Sequence, residues 1–285
     1  EADRMIDMGF EEDVSRIINS CPSDRHSMLF SATLAHDKMP AFIKTTLTDP
    51  AVHQLNSHRE VHQKINHQVI TATDGDLKDK QLISLLHKEP YEKAIVFTNT
   101  IVEAARLNGY VRRYGIRAGV IHGDLTQEQR KHVINLLQTG TLKILIATDV
   151  AARGIDIKGV DLVINRDMPR SGDDYIHRTG RTGRAGTQGR AVSLINPSEW
   201  NLMAGIERYL KAKFEMRKIP GLEGSYTGPK KLKASGKAAG SKKKKIDKKL
   251  AVKAGKKAPR DKKKVKKRTA PVIIDDGMAP FSRKK

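Results

Sequence analysis

Ile144-Leu145-Ile146-Ala147 is a short, uninterrupted apolar run, and the polar pair Thr148-Asp149 follows it directly. Four runs of the same kind lie between Lys93 and Ile195, at residues 94–97, 119–121, 162–164 and 191–195. Short runs rich in β-branched residues are typical of strands in a parallel sheet whose two faces are both buried. Helical patterns lie between these runs. The alternation predicts an α/β fold in which a parallel sheet is sandwiched by helices.

Hydrophobic periodicity also predicts the positions of the helices. Between the apolar runs they lie at about residues 100–114, 126–139, 149–153 and 173–182, and one more follows the last run at about 198–212. Just before the repeat, a strand is predicted at 67–72 and a helix at 77–87. The first 54 residues contain only two predicted helices, near 11–20 and 36–47, and one predicted strand, Met28–Phe30. Because so few elements cannot bury a core of their own, we interpret this segment as the end of a preceding domain.

Charge and pattern together divide the chain into four parts. Residues 1–54 are the domain remnant, 55–66 a polar linker, 67–215 the sheet domain and 216–285 a Lys-rich tail. The formal net charge is +22, and residues 229–285 hold 23 of the 54 basic residues but only 4 of the 32 acidic residues. Like-charge runs with few apolar residues cannot offset chain entropy, so the tail is predicted to be disordered.

Composition excludes several classes of protein. The single cysteine, Cys21, rules out an internal disulfide framework and fits a reducing compartment. No apolar run approaches the length of a transmembrane helix, and residue 1 does not start a signal peptide. No Cys/His spacing suggests a zinc site, and no metal ligand is assigned. We expect a cytoplasmic protein with no membrane contact, or a nuclear or nucleolar one in a eukaryote.

One basic segment carries candidate chemistry: His177-Arg178-Thr179-Gly180-Arg181-Thr182-Gly183-Arg184. If it is helical, His177, Arg181 and Arg184 stand at i, i+4 and i+7, which is one face. Arginine is always charged and can bind phosphate oxygens bidentately. Such a row suits a site where negative charge develops on a transferring phosphoryl group. A solvated basic helix face is the alternative for this stretch taken alone.

Five further stretches accompany that segment in a characteristic order. They are Glu1-Ala2-Asp3 before Arg4–Phe10, Ser31-Ala32-Thr33, Ile95–Thr100, His122-Gly123-Asp124 with Gln127–Arg130, and Ala147–Asp156. Their order and spacing resemble the C-terminal part of a DEAD-box ATP-dependent RNA helicase of superfamily 2, over residues 1 to about 215. Overall resemblance favours a bacterial RhlE-like member. The resemblance implies a RecA-like sheet domain preceded by the remnant of a first, ATP-binding RecA-like domain.

The resemblance also implies roles for individual residues. It assigns catalysis to Glu1, Asp3, His177, Arg181 and Arg184, ATP binding to Gly154, Asp156, Arg181 and Arg184, and coupling to Ser31, Thr33 and Asp149. The implied cofactors are ATP and Mg²⁺, bound mainly by the first domain, where the family has its phosphate loop and its Mg²⁺-linked Asp. No phosphate-loop motif occurs in this chain, so we expect the chain alone to be inactive.

Six residues are predicted to bind RNA: Thr98, Gly123, Asp124, Gln127, Arg130 and Thr148. They follow strands or start helices at one end of the sheet, where amides, hydroxyls and an arginine suit phosphate and 2′-OH contacts on a single strand. These loops contain no Phe, Tyr or Trp, so base stacking is not the expected mode of binding. Contact with the backbone alone gives little sequence preference.

The predicted function is that of an ATP-dependent RNA helicase or RNP remodeller that couples ATP hydrolysis to local duplex unwinding. Its predicted partners are duplex and single-stranded RNA, with protein or ribosomal-particle partners through the tail. Two alternatives stay open at this point. One is a non-catalytic RNA-binding or annealing module, and the other is a DNA helicase of the same superfamily.

Overall fold

The parallel sheet predicted from the apolar runs is present. The computed structural model describes residues 1–31, 37–53, 65–152, 157, 159–183 and 188–238. Seven strands form one sheet in the order β3-β4-β2-β5-β6-β1-β7, and all neighbours are parallel. The strands are β1 (Ile65–Thr71), β2 (Ala94–Thr98), β3 (Ala118–Ile121), β4 (Ile144–Thr148), β5 (Leu162–Asn165), β6 (Gly189–Ile195) and β7 (Glu215–Arg217).

Helices separate the strands. Before β1 the described residues form α1 (Ala2–Asp7), α2 (Glu11–Asn19) and α3 (Met39–Thr46). The sheet domain adds α4 (Gly75–Lys88), α5 (Ile101–Arg113), α6 (Gln127–Gln138), α7 (Asp149–Ala152), α8 (Gly172–Thr179) and α9 (Trp200–Leu210). Among the described helices, none has the length and apolar content needed to cross a lipid bilayer.

The strands place alternate side chains in separate cores, as the period of two requires. On β4, Ile144 and Ile146 pack with α4 and α5, whereas Leu145 and Ala147 pack with α6. A third cluster joins β1, β6, α8 and α9 around the buried ring of Tyr175. Both faces of the sheet are therefore covered, which explains why the strands are continuous apolar runs.

Four side chains define where helices begin at the carboxyl edge of the sheet. Asp74, Thr100, Thr126 and Ser171 each accept a hydrogen bond from a backbone amide in the first turn of the following helix. Such caps satisfy amides that have no partner inside the helix. The carboxyl ends of all parallel strands meet at this one edge, so the loops that leave them are brought together there.

The strand predicted at Met28–Phe30 is not formed. The carbonyl oxygen of Phe30 accepts from the amide of Ala2 at 3.0 Å, but no strand of the described residues lies alongside. Without a neighbouring strand to pair with, three consecutive apolar residues do not make a strand, and the Met28 and Phe30 side chains stay 71% exposed. A small cluster of Ala2, Ile6, Met39 and Phe42 holds α1 and α3 together.

The predicted start of the tail at residue 216 is also wrong, because the fold continues to at least residue 238. β7 adds a seventh strand beside β1, and Ile219 is buried in the main core with Leu222 packed against it. Apolar residues recur here at Met216, Ile219 and Leu222, before the lysine-rich composition begins at Lys230. The remainder of the predicted tail, 239–285, lies outside the described residues.

Candidate functional site

Arg178 in α8 is the most connected side chain at the carboxyl edge of the sheet, although only 1% of its surface is exposed. Its Nε and Nη2 donate to the two carboxylate oxygens of Asp149 at 2.6 and 2.7 Å. Nη2 also donates to Asn99 Oδ1 at 2.7 Å. Nη1 donates to the carbonyl oxygen of Asp167 at 2.6 Å and to Asn165 Oδ1 at 3.4 Å. We call these five residues the Arg178 junction.

The Arg178 junction ties three strand ends to α8. Asn99 follows β2, Asp149 follows β4, and Asn165 ends β5. The guanidinium carbon of Arg178 also lies 5.3 Å from the centre of the Phe97 ring, a distance at which a cation–π attraction operates. Removing one partner of a buried charge pair typically costs about 3–5 kcal/mol, because the other charge stays buried. The loops after β2 and β4 are therefore held in fixed positions relative to α8.

One turn of α8 contacts the first segment of the chain. His177 Nε2 lies 3.7 Å from Asp3 Oδ2, and Arg4 contacts His177 Nδ1 and donates to Asp174 Oδ1 at 2.9 Å. The amide of Asp3 donates to Ser31 Oγ at 3.3 Å. The structure thus brings Asp3 and His177, both predicted for catalysis, close to Ser31, which is predicted for coupling. Glu1 is exposed, and Thr33 lies outside the described residues.

His177 and Arg181 do not stand on one continuous helix, because α8 ends at Thr179 with Gly180 as its C-cap. Thr182 donates back to the carbonyl of Thr179 at 3.0 Å, and Gly183 has a φ of 69°. A Cβ atom at Gly183 would lie 2.9 Å from the Ile65 side chain. Glycine therefore allows a left-handed turn against the start of β1. Arg181 is half-buried in this turn.

Three predicted nucleotide-site residues cannot be located. Gly154, Asp156 and Arg184 lie outside the described residues. Asp149, just before the first two, is located and binds Arg178 in two places. Arg181 is the predicted phosphate-binding residue that the structure places.

The predicted RNA-binding residues fall into two groups at the carboxyl edge. Gly123, Asp124 and Gln127 are exposed, and Arg130 Nη2 donates to the carbonyl of Gly123 at 2.9 Å. Thr98 and Thr148 are register partners on β2 and β4, and both are buried. The Thr98 hydroxyl donates to the carbonyl of Thr100 at 3.3 Å. The loop between β3 and α6 is thus the accessible part of this predicted surface.

An ion network supports the loops after β2 and β5. Asp79 accepts from Arg106 at 2.6 Å and from Arg166 at 3.1 Å. The hydrogen bond from Arg106 lowers the pKa of Glu103 below its usual value. Burial alone would lower the pKa of Arg166, but nearby carboxylates raise it overall, Asp167 first. The pKa shifts of Glu103 and Arg166 both favour the charged form of the side chain.

A second buried cation, Lys78 on α4, lies in the same region. Lys78 contacts Glu199, the residue before α9, and donates to the carbonyl of Arg166 at 2.9 Å. Burial lowers the pKa of Lys78 despite the attraction of Glu199. The Glu199 carboxylate also accepts from the amides of Met168 and Asn196 at 3.1 and 2.9 Å. Lys78 thereby connects α4 with the loops that follow β5 and β6.

Sequence reasoning missed the Arg178 junction and this ion network. One signal for Arg178 was available, because Tyr175, Arg178 and Thr179 stand at i, i+3 and i+4 and are all buried. That spacing places Arg178 on the inward face of α8. Arg181 lies after the end of the helix at Thr179. The contacts of Asp79, Arg166 and Glu199 join distant parts of the chain and leave no local pattern.

Comparison with known proteins follows the same division of the chain. Residues 1–41 match the DEAD/DEAH box helicase family model, and residues 77–186 match the helicase conserved C-terminal domain. The ATP-dependent RNA helicase SrmB of Haemophilus influenzae is 38% identical over 230 residues, which is 81% of this chain and 52% of that protein. The chain belongs to the DEAD-box helicases.

Solved structures of DEAD-box helicases share the fold. S. cerevisiae Dbp5 bound to RNA and ADP BeF3 gives a TM-score of 0.69 at 31% identity, covering 77% of this chain and 57% of that one. E. coli SrmB bound to regulator of ribonuclease activity A gives 0.57 at 37% identity, covering 59% and 98%. The predicted RecA-like α/β fold is therefore confirmed.

This DEAD-box chain spans about half the length of the curated relatives it matches. The first matched segment contains α1, α2 and the start of α3, and the second contains nearly all of α4 and the whole of α5 to α8. The contacts of Asp3 and Arg4 with α8 therefore join the two matched segments.

Proposed function

We propose that this chain is the second-domain half of an ATP-dependent RNA helicase that couples ATP hydrolysis to local unwinding of duplex RNA. Membership of the DEAD-box family supports the proposal. The observation that carries it is the Arg178 junction, which joins the helix bearing His177 to the strand ends beside the predicted RNA surface. Because these hydrogen bonds link α8 to the strand ends, a displacement of one is expected to displace the other.

On the nucleotide side, Arg181 is the residue we propose to contact the γ-phosphate. Its guanidinium is charged at every relevant pH and has the planar fork that fits phosphate oxygens. Placing such a charge where negative charge develops stabilises the transition state of phosphoryl transfer. His177, beside Asp3 and Arg4, is proposed to sense whether the first-domain segment is in place. Gly154, Asp156 and Arg184 remain proposed nucleotide contacts, and Thr33 a proposed coupling residue.

We propose no metal-binding residue on this chain. Among the described residues, no three His, Cys, Asp or Glu side chains gather as metal ligands. Asp3 is buried beside His177. Mg²⁺, which DEAD-box helicases use with ATP, is proposed to be bound by residues beyond this chain. What this chain contributes is the arginine side of the nucleotide site.

On the RNA side, the exposed loop 122–127 with Arg130 is proposed to contact phosphates and 2′-hydroxyls of one strand. Gln127 starts α6, where the positive end of the helix dipole favours phosphate. Contacts to the sugar-phosphate backbone carry no base readout, so binding is proposed to be independent of sequence. Thr98 and Thr148 are proposed to act from beneath this surface, through the ends of β2 and β4.

Localisation and protein partners stay proposals of the same kind. A cytoplasmic location is proposed, and protein or ribosomal-particle partners are proposed to bind through residues 239–285. The division at 1–54, 55–66 and 67 onward is likewise proposed, with the sheet domain extended to residue 238.

The deciding experiment measures phosphate release and strand displacement by the full-length protein. We expect single-stranded RNA to stimulate ATP turnover much more than DNA of the same sequence, and ATP to drive displacement of a short RNA duplex. Equal stimulation by DNA would support a DNA helicase. Duplex annealing without ATP turnover would support a non-catalytic RNA-binding module. Either result would refute the proposed function.

A further inference from the structure

The chain continues in an ordered path after β7, across the carboxyl edge of the sheet. Gln81 Nε2 donates to the carbonyl of Leu222 at 3.0 Å, and the hydroxyls of Thr73 and Ser225 lie 3.4 Å apart. Gly224 is so close to Thr73 that a Cβ atom would lie 2.8 Å from its hydroxyl. Since Thr73 directly follows β1, this path crosses the carboxyl end of that strand.

Trp200, the first residue of α9, fixes the next part of this path. Its indole Nε1 donates to the carbonyl of Gly236 at 3.2 Å. The Tyr226 ring meets the indole edge-on at 6.3 Å and 85°. Gly228, with a φ of 121°, lies so close that a Cβ atom would be 3.3 Å from the indole. The next side chain, Asn201, accepts from the amide of Ala238 at 2.8 Å.

Residues 230–238 form what we call the basic hairpin. Leu232 and Ala238 make an antiparallel bridge, Lys233 donates to the carbonyl of Lys237 at 2.9 Å, and Gly236 donates to the carbonyl of Lys233 at 2.8 Å. Lys230, Lys231, Lys233 and Lys237 are all exposed. Residues 224–238 contain no Asp or Glu. Four positive charges are therefore presented on an anchored backbone with no acidic residue in the same segment.

We propose that the basic hairpin is a second phosphate-binding surface, which takes the sugar-phosphate backbone of an RNA strand as it leaves the loop 122–130. The inference rests on the proposed function, because it needs RNA at that loop. Both surfaces lie at the carboxyl edge, one beside β3 and β4 and the other beside β6 and β1. Four strand spacings separate β3 from β6, which is about 19 Å at roughly 4.8 Å each.

This separation makes the proposal specific about RNA length. At about 3.4 Å of strand axis per nucleotide, about six nucleotides span the distance between the two surfaces. An RNA that covers only the loop 122–130 cannot reach the basic hairpin, whereas a longer one can. A loose basic tether would instead bind RNA of any length and would not depend on the anchor at Trp200.

The first test removes the anchor while keeping every charge. Trp200→Ala in the full chain should weaken binding of an RNA of about 16 nucleotides by several-fold and leave binding of about 5 nucleotides unchanged. Trp200→Phe keeps an aromatic ring against Gly228 and should lose less. The melting temperature of each variant reports whether the domain stays folded. If Trp200→Ala unfolds the domain, Asn201→Ala releases only the contact to Ala238 and replaces it in the same assay.

The second test removes the charges. Lys→Gln at 230, 231, 233 and 237 should reduce the salt slope for the longer RNA by about three units, at about 0.7 per phosphate for a single strand. The matched control makes the same change at four lysines exposed elsewhere: Lys44, Lys80, Lys88 and Lys143. Equal losses in both sets would mean that only net charge matters, and would overturn the proposal.

The outcomes also separate this inference from the proposed function. If Arg130→Ala weakens RNA binding but no hairpin or Trp200 variant does, the inference fails and the function stands. If the lysine changes matter but Trp200→Ala does not, the segment is a tether and the inference fails. If neither Arg130→Ala nor any hairpin variant changes RNA binding, the inference fails and so does the proposed RNA contact of Arg130, while ATP turnover and strand displacement still decide the proposed function.

Discussion

Arg178 and Arg181 stand three residues apart in one motif, yet their surroundings differ completely. Arg178 is buried in α8 and makes five hydrogen bonds, as many as its guanidinium has N–H groups. Arg181 is half-buried in a turn between Gly180 and Gly183, after the helix has ended. The same residue type thus stabilises the fold at position 178, whereas at position 181 we propose that it binds a ligand.

Burial and local structure distinguish the two arginines, since Arg178 is buried inside a helix and Arg181 is half-buried in a turn. A guanidinium with every donor engaged inside the protein stabilises the fold and has little left for a ligand. A half-buried guanidinium between two glycines keeps part of its surface exposed. We therefore expect Arg178 to contribute stability and propose that Arg181 binds phosphate, and four experiments test this site.

The largest effect is expected at the turn. In the full-length protein, Arg181→Ala should lower RNA-stimulated ATP turnover by about 10³-fold or more, as loss of an arginine finger does. Its unfolding free energy should hardly change. Arg181→Lys should restore only part of the rate, because an ammonium lacks the planar fork. Arg170→Ala, an exposed arginine just before α8, is the control. A comparable loss of stability in Arg181→Ala would erase the distinction from Arg178.

The next effect is expected at the Arg178 junction. Arg178→Met should lower the unfolding free energy of the chain by about 3–5 kcal/mol, because Asp149 and the amide groups lose a buried partner. Urea unfolding measures this loss. Arg170→Ala is the control, and its unfolding free energy should stay within about 0.5 kcal/mol of the parent, as expected for a surface change. Adding Asp149→Asn to Arg178→Met should cost less than the two single changes combined. A loss below about 1 kcal/mol would show that the junction is not structural.

A smaller effect is expected on the RNA side. Arg130→Ala should weaken RNA binding and reduce the salt slope by about 0.7–0.9 if it neutralises one phosphate. Arg130→Lys keeps the charge and should restore the slope. Arg112→Ala, exposed on α5, removes the same charge from another surface and should not change it. Unchanged binding in Arg130→Ala would mean that the bond to Gly123 is its whole role.

The smallest effect is expected in the ion network. The pKa of Glu103 is lowered in the folded state, so its stabilising contribution is present above the unfolded value of about 4.3 and is lost as pH falls further. The stability difference between the parent and Glu103→Gln should therefore shrink as pH falls from 6 towards 3. Glu92→Gln, at an exposed site, should show no such narrowing. If the stability difference between the parent and Glu103→Gln does not depend on pH, the contribution of Glu103 does not come from its charge.

The sequence predicted most of the sheet because its strands are apolar on both faces. β7 was missed, since Glu215, Met216 and Arg217 give a three-residue strand with mostly exposed side chains. The end of α8 was predicted three residues too late, at about residue 182 instead of Thr179. The helical spacing of the arginines was given more weight than the low helix propensity of Gly180. Met28–Phe30 has strand-like residues, but a strand also needs a neighbour.

The candidate site could be predicted only in part. Residues near one another in the chain, such as Gly123 and Arg130, can be placed from local pattern. The approach of Asp3 to His177 and of Lys78 to Glu199 depends on how the whole chain folds. No local rule reports such contacts. The resemblance to the DEAD-box family placed Asp3 and His177 in one site. It predicted nothing about Lys78 and Glu199.

The pairing of β1 has a consequence for the order in which the chain folds. β1 pairs only with β6 and β7 in the described sheet, and Ile65 stands beside Gly189. At about 5–20 residues per second, the ribosome needs roughly ten seconds after making β1 to supply its first partner. During that time we expect β2, β3, β4 and β5 to assemble, while β1 has no neighbouring strand to pair with. Chaperone capture of the nascent chain should therefore centre on β1.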